Sequence, residues 1–174
     1  MSFEEVFLNF HKKRDFKFAI AYFEKNRGEI KLLVDFITSK KAYPYAEYAS
    51  WLLVHLTQFD ESLVEEFHKD FIDTVLKEES NQTVLRNCVN ILVQFDLIEY
   101  KEGELIDRLI SFVQNGDNKV ALQVYSIQMF VKYLFKYPEL KEEFTSIVEL
   151  YREGRSAAYQ SAVRTYHKKV KKIK

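Results

Sequence analysis

Residues 118–140 read Asn-Lys-Val-Ala-Leu-Gln-Val-Tyr-Ser-Ile-Gln-Met-Phe-Val-Lys-Tyr-Leu-Phe-Lys-Tyr-Pro-Glu-Leu. Within them Val120, Val124, Ile127, Phe130, Val131, Leu134 and Phe135 recur at steps of three and four, which places them on one stripe of a 3.6-residue helix. Tyr125, Met129 and Tyr133 widen that stripe, so the helix is expected to be covered on more than one side. Pro138 has no backbone N–H and disfavours helix at Tyr137, yet its fixed φ suits a first helical turn. A new helix is therefore expected to begin near it.

The remaining chain repeats this pattern. Its 174 residues hold only four Gly and two Pro against 15 Phe and 11 Tyr, and so few breakers imply long helices. Gly28, Gly103, Gly116 and Gly154 fall between apolar-periodic runs, and Pro44 and Pro138 stand where new runs begin. No alternating strand pattern bounded by turn residues occurs. The spacing predicts helices over 3–11, 16–25, 29–39, from Pro44 to 58, 62–77, 82–95, 104–113, 119–136, 138–151, and from Ser156 to the end. Asp15, Asn81 and Asn118 stand as candidate N-caps.

Several of these helices superpose. Gln58-Phe59-Asp60 recurs as Gln94-Phe95-Asp96, a register that sets Leu52 over Cys88. Continuing it carries Cys88 onto Ser126 and Ser126 onto Ala162, with Val89, Ile127 and Val163 following. A small or modest residue before an aliphatic one, in every second helix, suggests repeated close helix contact. The period of 36 to 38 residues is that of a two-helix repeat, slightly short for HEAT repeats, and neither an ankyrin nor a tetratricopeptide motif is present. The expected fold is all-α, a right-handed α-α superhelix of antiparallel helix pairs of the HEAT or armadillo kind. Residues 1–174 would form a single domain, with 155–174 as a basic C-terminal capping helix. An irregular helical bundle is the alternative that periodicity leaves open.

Lys119-Val-Ala-Leu-Gln-Val-Tyr-Ser126, Tyr137-Pro-Glu-Leu140 and Ser156-Ala-Ala-Tyr-Gln-Ser-Ala-Val-Arg164 with Lys168-Lys169 carry a resemblance. Together with Glu47-Tyr-Ala-Ser-Trp51, they resemble a family of small bacterial helical-repeat proteins common in Bacteroidetes, over about residues 45–174. Members of that family sometimes bear an adenylosuccinate lyase label. The residues here do not support it, because that lyase is a much longer chain with a Ser- and Gly-rich loop that closes on substrate.

No catalytic constellation stands out. His11, His55, His68 and His167 have neither clustered spacing nor an H-E-x-x-H pattern, so no metal and no cofactor are expected. Glu65, Glu66, His68 and Asp70 form a charged cluster, but its acidic residues mostly mark the solvated face of a helix whose other face carries Leu63, Val64, Phe67, Phe71 and Val75. No nucleophile elbow, phosphate loop or dinucleotide fingerprint occurs. Cys88, the single cysteine, reads as a packed thiol in a reducing compartment. An acidic start and the lack of a membrane-length apolar run point to a soluble, cytoplasmic protein.

Charge is balanced overall, 26 basic against 26 acidic residues, but from Arg152 onward eight basic residues face one acid, Glu153. Tyr159, Val163, Tyr166, Val170 and Ile173 form the apolar stripe of that last segment. Its lysines read either as the solvated face of an end cap or as an anion site. In a HEAT-like stack the second helices line the concave side. There Val54, Asn90, Gln128 and Arg164 would be equivalent, with Gln58, Gln94, Lys132 and Lys168 one turn on. Adding Arg86, Asn87 and Tyr125 gives a polar ridge, Arg86, Asn87, Asn90, Tyr125, Gln128, Lys132, Arg164 and Lys168, suited to a protein or peptide partner. The expected function is a non-enzymatic interaction module. The alternative resembles the HEAT-like DNA alkylation glycosylases, which need an inward Trp and Asp beside several basic residues; Trp51 is the only tryptophan, with no basic neighbour expected.

Overall fold

The computed structural model describes residues 2–39, 44–78, 81–150 and 152–173, and among them all regular structure is helical. The chain divides into two compact units, Met1–Phe95 and Asp96–Lys174.

In the first unit, α1 (Phe3–Lys13) opens on a capping box. The Ser2 hydroxyl accepts from the Glu5 N–H, and the Glu5 carboxylate accepts from the Ser2 N–H. It closes at Arg14, a left-handed cap with φ 57°. Asp15 then caps α2 (Phe16–Lys25) through the Phe18 N–H, and Asn81 caps α6 (Gln82–Gln94) through the Thr83 N–H, both as expected. Between them lie α3 (Ile30–Thr38), α4 (Tyr45–Phe59) and α5 (His68–Leu76). α3 packs on α4 and α5 on α6, pairs joined by short connections, while α4 stacks on α6 and α3 on α5. α2 covers the free side of α4. Phe3, Phe7, Phe36 and Tyr45 fill one end of the unit with ring centroids 5.4 to 6.0 Å apart.

The second unit repeats the scheme with α7 (Glu102–Gln114), α8 (Val120–Lys136), α9 (Lys141–Leu150) and α10 (Ala157–Val170). α7 packs on α8, α8 stacks on α10, and α7 on α9. Pro138 begins a 3₁₀ turn, Pro138–Leu140, that runs into α9, as its fixed φ requires. α8 is the most deeply buried helix of this unit, and Phe130 stacks on Phe144 of α9 at 4.3 Å.

Several expectations need correction. The run over 62–77 is not one helix: two 3₁₀ turns, Glu61–Leu63 and Glu65–Phe67, precede α5. Asp60 fixes that entry by accepting from the Ser62 N–H. Asn118 is not an N-cap, since Lys119 holds that position and the Asn118 amide donates to the Phe112 carbonyl instead. Gly103 lies in the first turn of α7 rather than in a gap. Within α8, Val120 and Phe135 leave the core, Phe135 with 68 % exposure, while Leu122, Gln123 and Ser126 enter it. The stripe faces α7, α9 and α10 in turn, so burial follows three neighbours rather than one axis. No helix among the described residues is long and apolar enough to cross a membrane.

Candidate functional site

The repeat register can be tested on contacts. In the first unit Asn87 of α6 donates to the Ser50 hydroxyl of α4 at 2.9 Å, and both residues are buried. Seventy-four residues later stand Ser161 of α10 and Val124 of α8, which line one groove together. Equivalent helices thus meet through equivalent positions.

The two contacts differ in how well they are filled. α6 offers α4 the side chains Val84, Asn87, Cys88 and Ile91, all buried. At the same register α10 offers α8 Ala158, Ser161, Ala162 and Thr165, of which none is buried. The missing volume leaves a groove of about 320 Å³ between α8 and α10. Ala162, expected to pack like Cys88 and Ser126, is only half-buried for this reason. Val124, Ile127, Val131 and Ala162 make its walls apolar, and Gln128, Ser161, Thr165 and Lys169 stand along its rim.

α10 cannot slide inward to close the gap. On the flank toward α9, Tyr159 and Tyr166 are fully buried, where α6 has the shorter Leu85 and Leu92, and Tyr166 also lines the groove. The Tyr159 hydroxyl donates to the Val148 carbonyl at 3.2 Å, and the Tyr166 hydroxyl lies 3.1 Å from that of Thr145, tying α10 to α9. Burial raises both phenols above their ordinary range, keeping them neutral. At the N-terminal end Arg155 donates to the buried Gln123 amide oxygen at 3.1 Å, its guanidinium lying over Gly116, where a Cβ would meet it at 3.1 Å. At the other end Glu149 of α9 pairs with His167 at 2.5 Å and with Arg152 at 3.2 Å. The His167 hydrogen bond, more than that of Arg152, holds the Glu149 carboxyl below its ordinary range against partial desolvation.

Of the eight expected ridge residues, only Gln128 lines the groove. Lys168 lies on its outer flank, one turn beyond Thr165 and two beyond Ser161, whereas Arg164 is exposed on the opposite side of α10 from Ala162. Tyr125 and Lys132 are half-buried on α8. On α6, Arg86 and Asn90 are half-buried, but Asn87 is 4 % exposed and committed to Ser50, so it joins the helices rather than facing solvent. Val54, placed in the same ladder, is buried as well. Lys169, Ser161 and Ala158 were not anticipated. Their signal was volume: each is smaller or more polar than its counterpart one repeat pair earlier.

Trp51 also departs from expectation. The Arg14 guanidinium lies over its ring at 5.1 Å and over Tyr48 at 4.0 Å, donating to the Tyr48 hydroxyl, so a cation does adjoin it. The His55 ring lies tilted against Phe16 with centroids 3.9 Å apart, and burial lowers its pKa. Among the described residues no group of three or more His, Cys, Asp or Glu could hold a metal ion.

The helix pairing and its repeated register have a counterpart among known families: the family model described as a HEAT repeat domain matches residues 9–174. The chain belongs to the HEAT repeat family. No curated protein and no solved structure matches it. In HEAT repeat terms, α4, α6, α8 and α10 are second helices, and the groove lies between the last two of them.

Proposed function

We propose that this HEAT repeat protein is a non-enzymatic interaction module that binds a protein or peptide along its second helices, which line the concave side of a HEAT array. The observation that carries this reading is the α8–α10 groove, an apolar trough with a polar rim, formed where the same helix contact elsewhere in the chain is closed. Gln128, Tyr125, Lys132 and Lys168 would contribute from this unit. Arg86 and Asn90 offer a similar half-buried polar surface on α6 of the other.

A photo-crosslinking amino acid at Ser161, compared with one at the exposed Asp107 of α7, tests the reading in extract of the cell that makes the protein. Discrete protein adducts at position 161, lost when Ala162→Phe fills the groove, are the expected result. Equal labelling at both positions would count against it.

A further inference from the structure

The groove selects among possible occupants. Its walls are two α-helices whose own backbone groups are satisfied internally, and its polar lining side chains are Gln128, Ser161, Thr165, Lys169 and Tyr166, the last with its hydroxyl already paired with Thr145. The Thr165 hydroxyl is already donating to the Ser161 carbonyl at 3.1 Å. An extended segment would bring unpaired N–H and C=O groups into an apolar trough with too few partners for them. A helix brings none, because its backbone bonds are internal. The length agrees: Ala158 to Lys169 covers roughly 16 Å of helix axis, about three turns.

Charge narrows the partner further. From Ser156 to Lys174 the chain has no acidic residue, and Arg164, Lys168, Lys169, Lys171, Lys172 and Lys174 are basic. Lys169 lines the groove, Lys168 follows Thr165 by one turn and is exposed on the same flank, and Lys172 is exposed in the turn just past the end of α10. Beyond Val131, Phe135, four residues on, extends the apolar line into solvent with 68 % exposure. An apolar seam bordered on one side by cations complements a helix whose apolar stripe is bordered by carboxylates. The apolar walls do not suit a phosphate backbone, which would meet Val124, Ile127 and Val131.

We propose that the α8–α10 groove receives an acidic amphipathic helix of a partner protein, with apolar anchors at steps of three and four seated in the groove and Glu or Asp residues against Lys168, Lys169 and Lys172. This rests on the docking reading above and names the partner class for the same groove.

The test is selection of the full chain against a displayed library of random peptides roughly 16 residues long, enough for the turns the groove accommodates. Binding of the selected peptides and of a mixed-sequence DNA duplex is then measured by fluorescence anisotropy. Selected peptides should be acidic with helical apolar spacing, lose about tenfold in affinity to Lys169→Glu combined with Lys172→Glu, and fail to bind Ser161→Trp. Ser161 is exposed, so that variant adds bulk without disturbing the core, and Thr165→Trp at the same rim serves as its duplicate. Neutral or basic peptides that Ser161→Trp still blocks would overturn the acidic partner and leave the docking groove standing. Peptides indifferent to both rim variants, or no selection at all, would overturn the two together. Duplex DNA displacing the peptides would replace the protein partner with a nucleic acid.

Discussion

The difference between a closed and an open contact between second helices can be measured at the Ser50–Asn87 pair. Ser50 donates its hydroxyl hydrogen to the Glu47 carbonyl at 2.8 Å and accepts from the Asn87 amide at 2.9 Å, with both side chains sealed from water. Ser50→Ala removes the acceptor and strands the amide N–H in the core, a loss of about 1–3 kcal/mol. Asn87→Ala removes the polar group along with its bond and leaves a small void, at about 1–2 kcal/mol. Once either partner is gone, removing the other has less to lose, so the double variant should fall short of the sum by about 1 kcal/mol. In a chain of this size about 2 kcal/mol lowers the melting temperature by about 4–8 °C, readily seen by scanning calorimetry. Ser161→Ala, the matched change on the open side, should stay within about 0.5 kcal/mol of the parent. Additive single effects at Ser50 and Asn87, or a Ser161→Ala loss as large as theirs, would refute the assignment of one contact as filled and the other as open.

Phe130→Ala removes a fully buried ring stacked on Phe144 and should cost about 3–5 kcal/mol in urea unfolding, whereas the exposed Phe135→Ser should change stability by less than about 0.5 kcal/mol. Because Glu149 is held below its ordinary value of 4.5 in the folded protein, its contribution is present above that value and lost as pH falls through the folded value. The urea midpoint gap between the parent and Glu149→Gln should therefore shrink as pH drops from about 5 toward 3, and a gap independent of pH over that range would exclude the linkage. Cys88 is buried and its thiol pushed up to about 12, so its reaction with a disulfide reagent should follow unfolding and be absent in native buffer. Rapid native labelling would show that α6 is not sealed.

The fold was legible because helix punctuation is local chemistry. Asp15 and Asn81 act as caps through their own side chains, and Pro138 starts a turn through its own ring. Asn118 failed as a cap because its amide found the Phe112 carbonyl, a partner made available by the end of α7 and invisible to spacing. The register of second helices was legible too, since offsets carrying Leu52 to Cys88 and Ser126 to Ala162 pair helices that do stack, α4 on α6 and α8 on α10. The candidate site was legible only at Gln128. The ridge came from polarity at expected outward positions, but position in a repeat does not fix exposure: Asn87 is polar and buried, and Ala162 is apolar and half-open.

Ala162 shows why. A small residue brings two helices together only if the helix bearing it is free to move toward its neighbour. α10 is not free, since Tyr159 and Tyr166 hold it against α9 through their bulk and their hydroxyl bonds to Val148 and Thr145. At the matching places α6 has Leu85 and Leu92 on that side and Val84, Asn87 and Ile91 toward α4. Between the two repeats, volume has been taken from one flank of the second helix and placed on the other. The same exchange that firms up the α9–α10 contact opens the α8–α10 contact, so the groove is a consequence of where the aromatic bulk sits. It would survive changes at Ala158 or Ser161 to other small residues, and because Tyr166 lines it as well, shortening that side chain would enlarge the groove rather than close it.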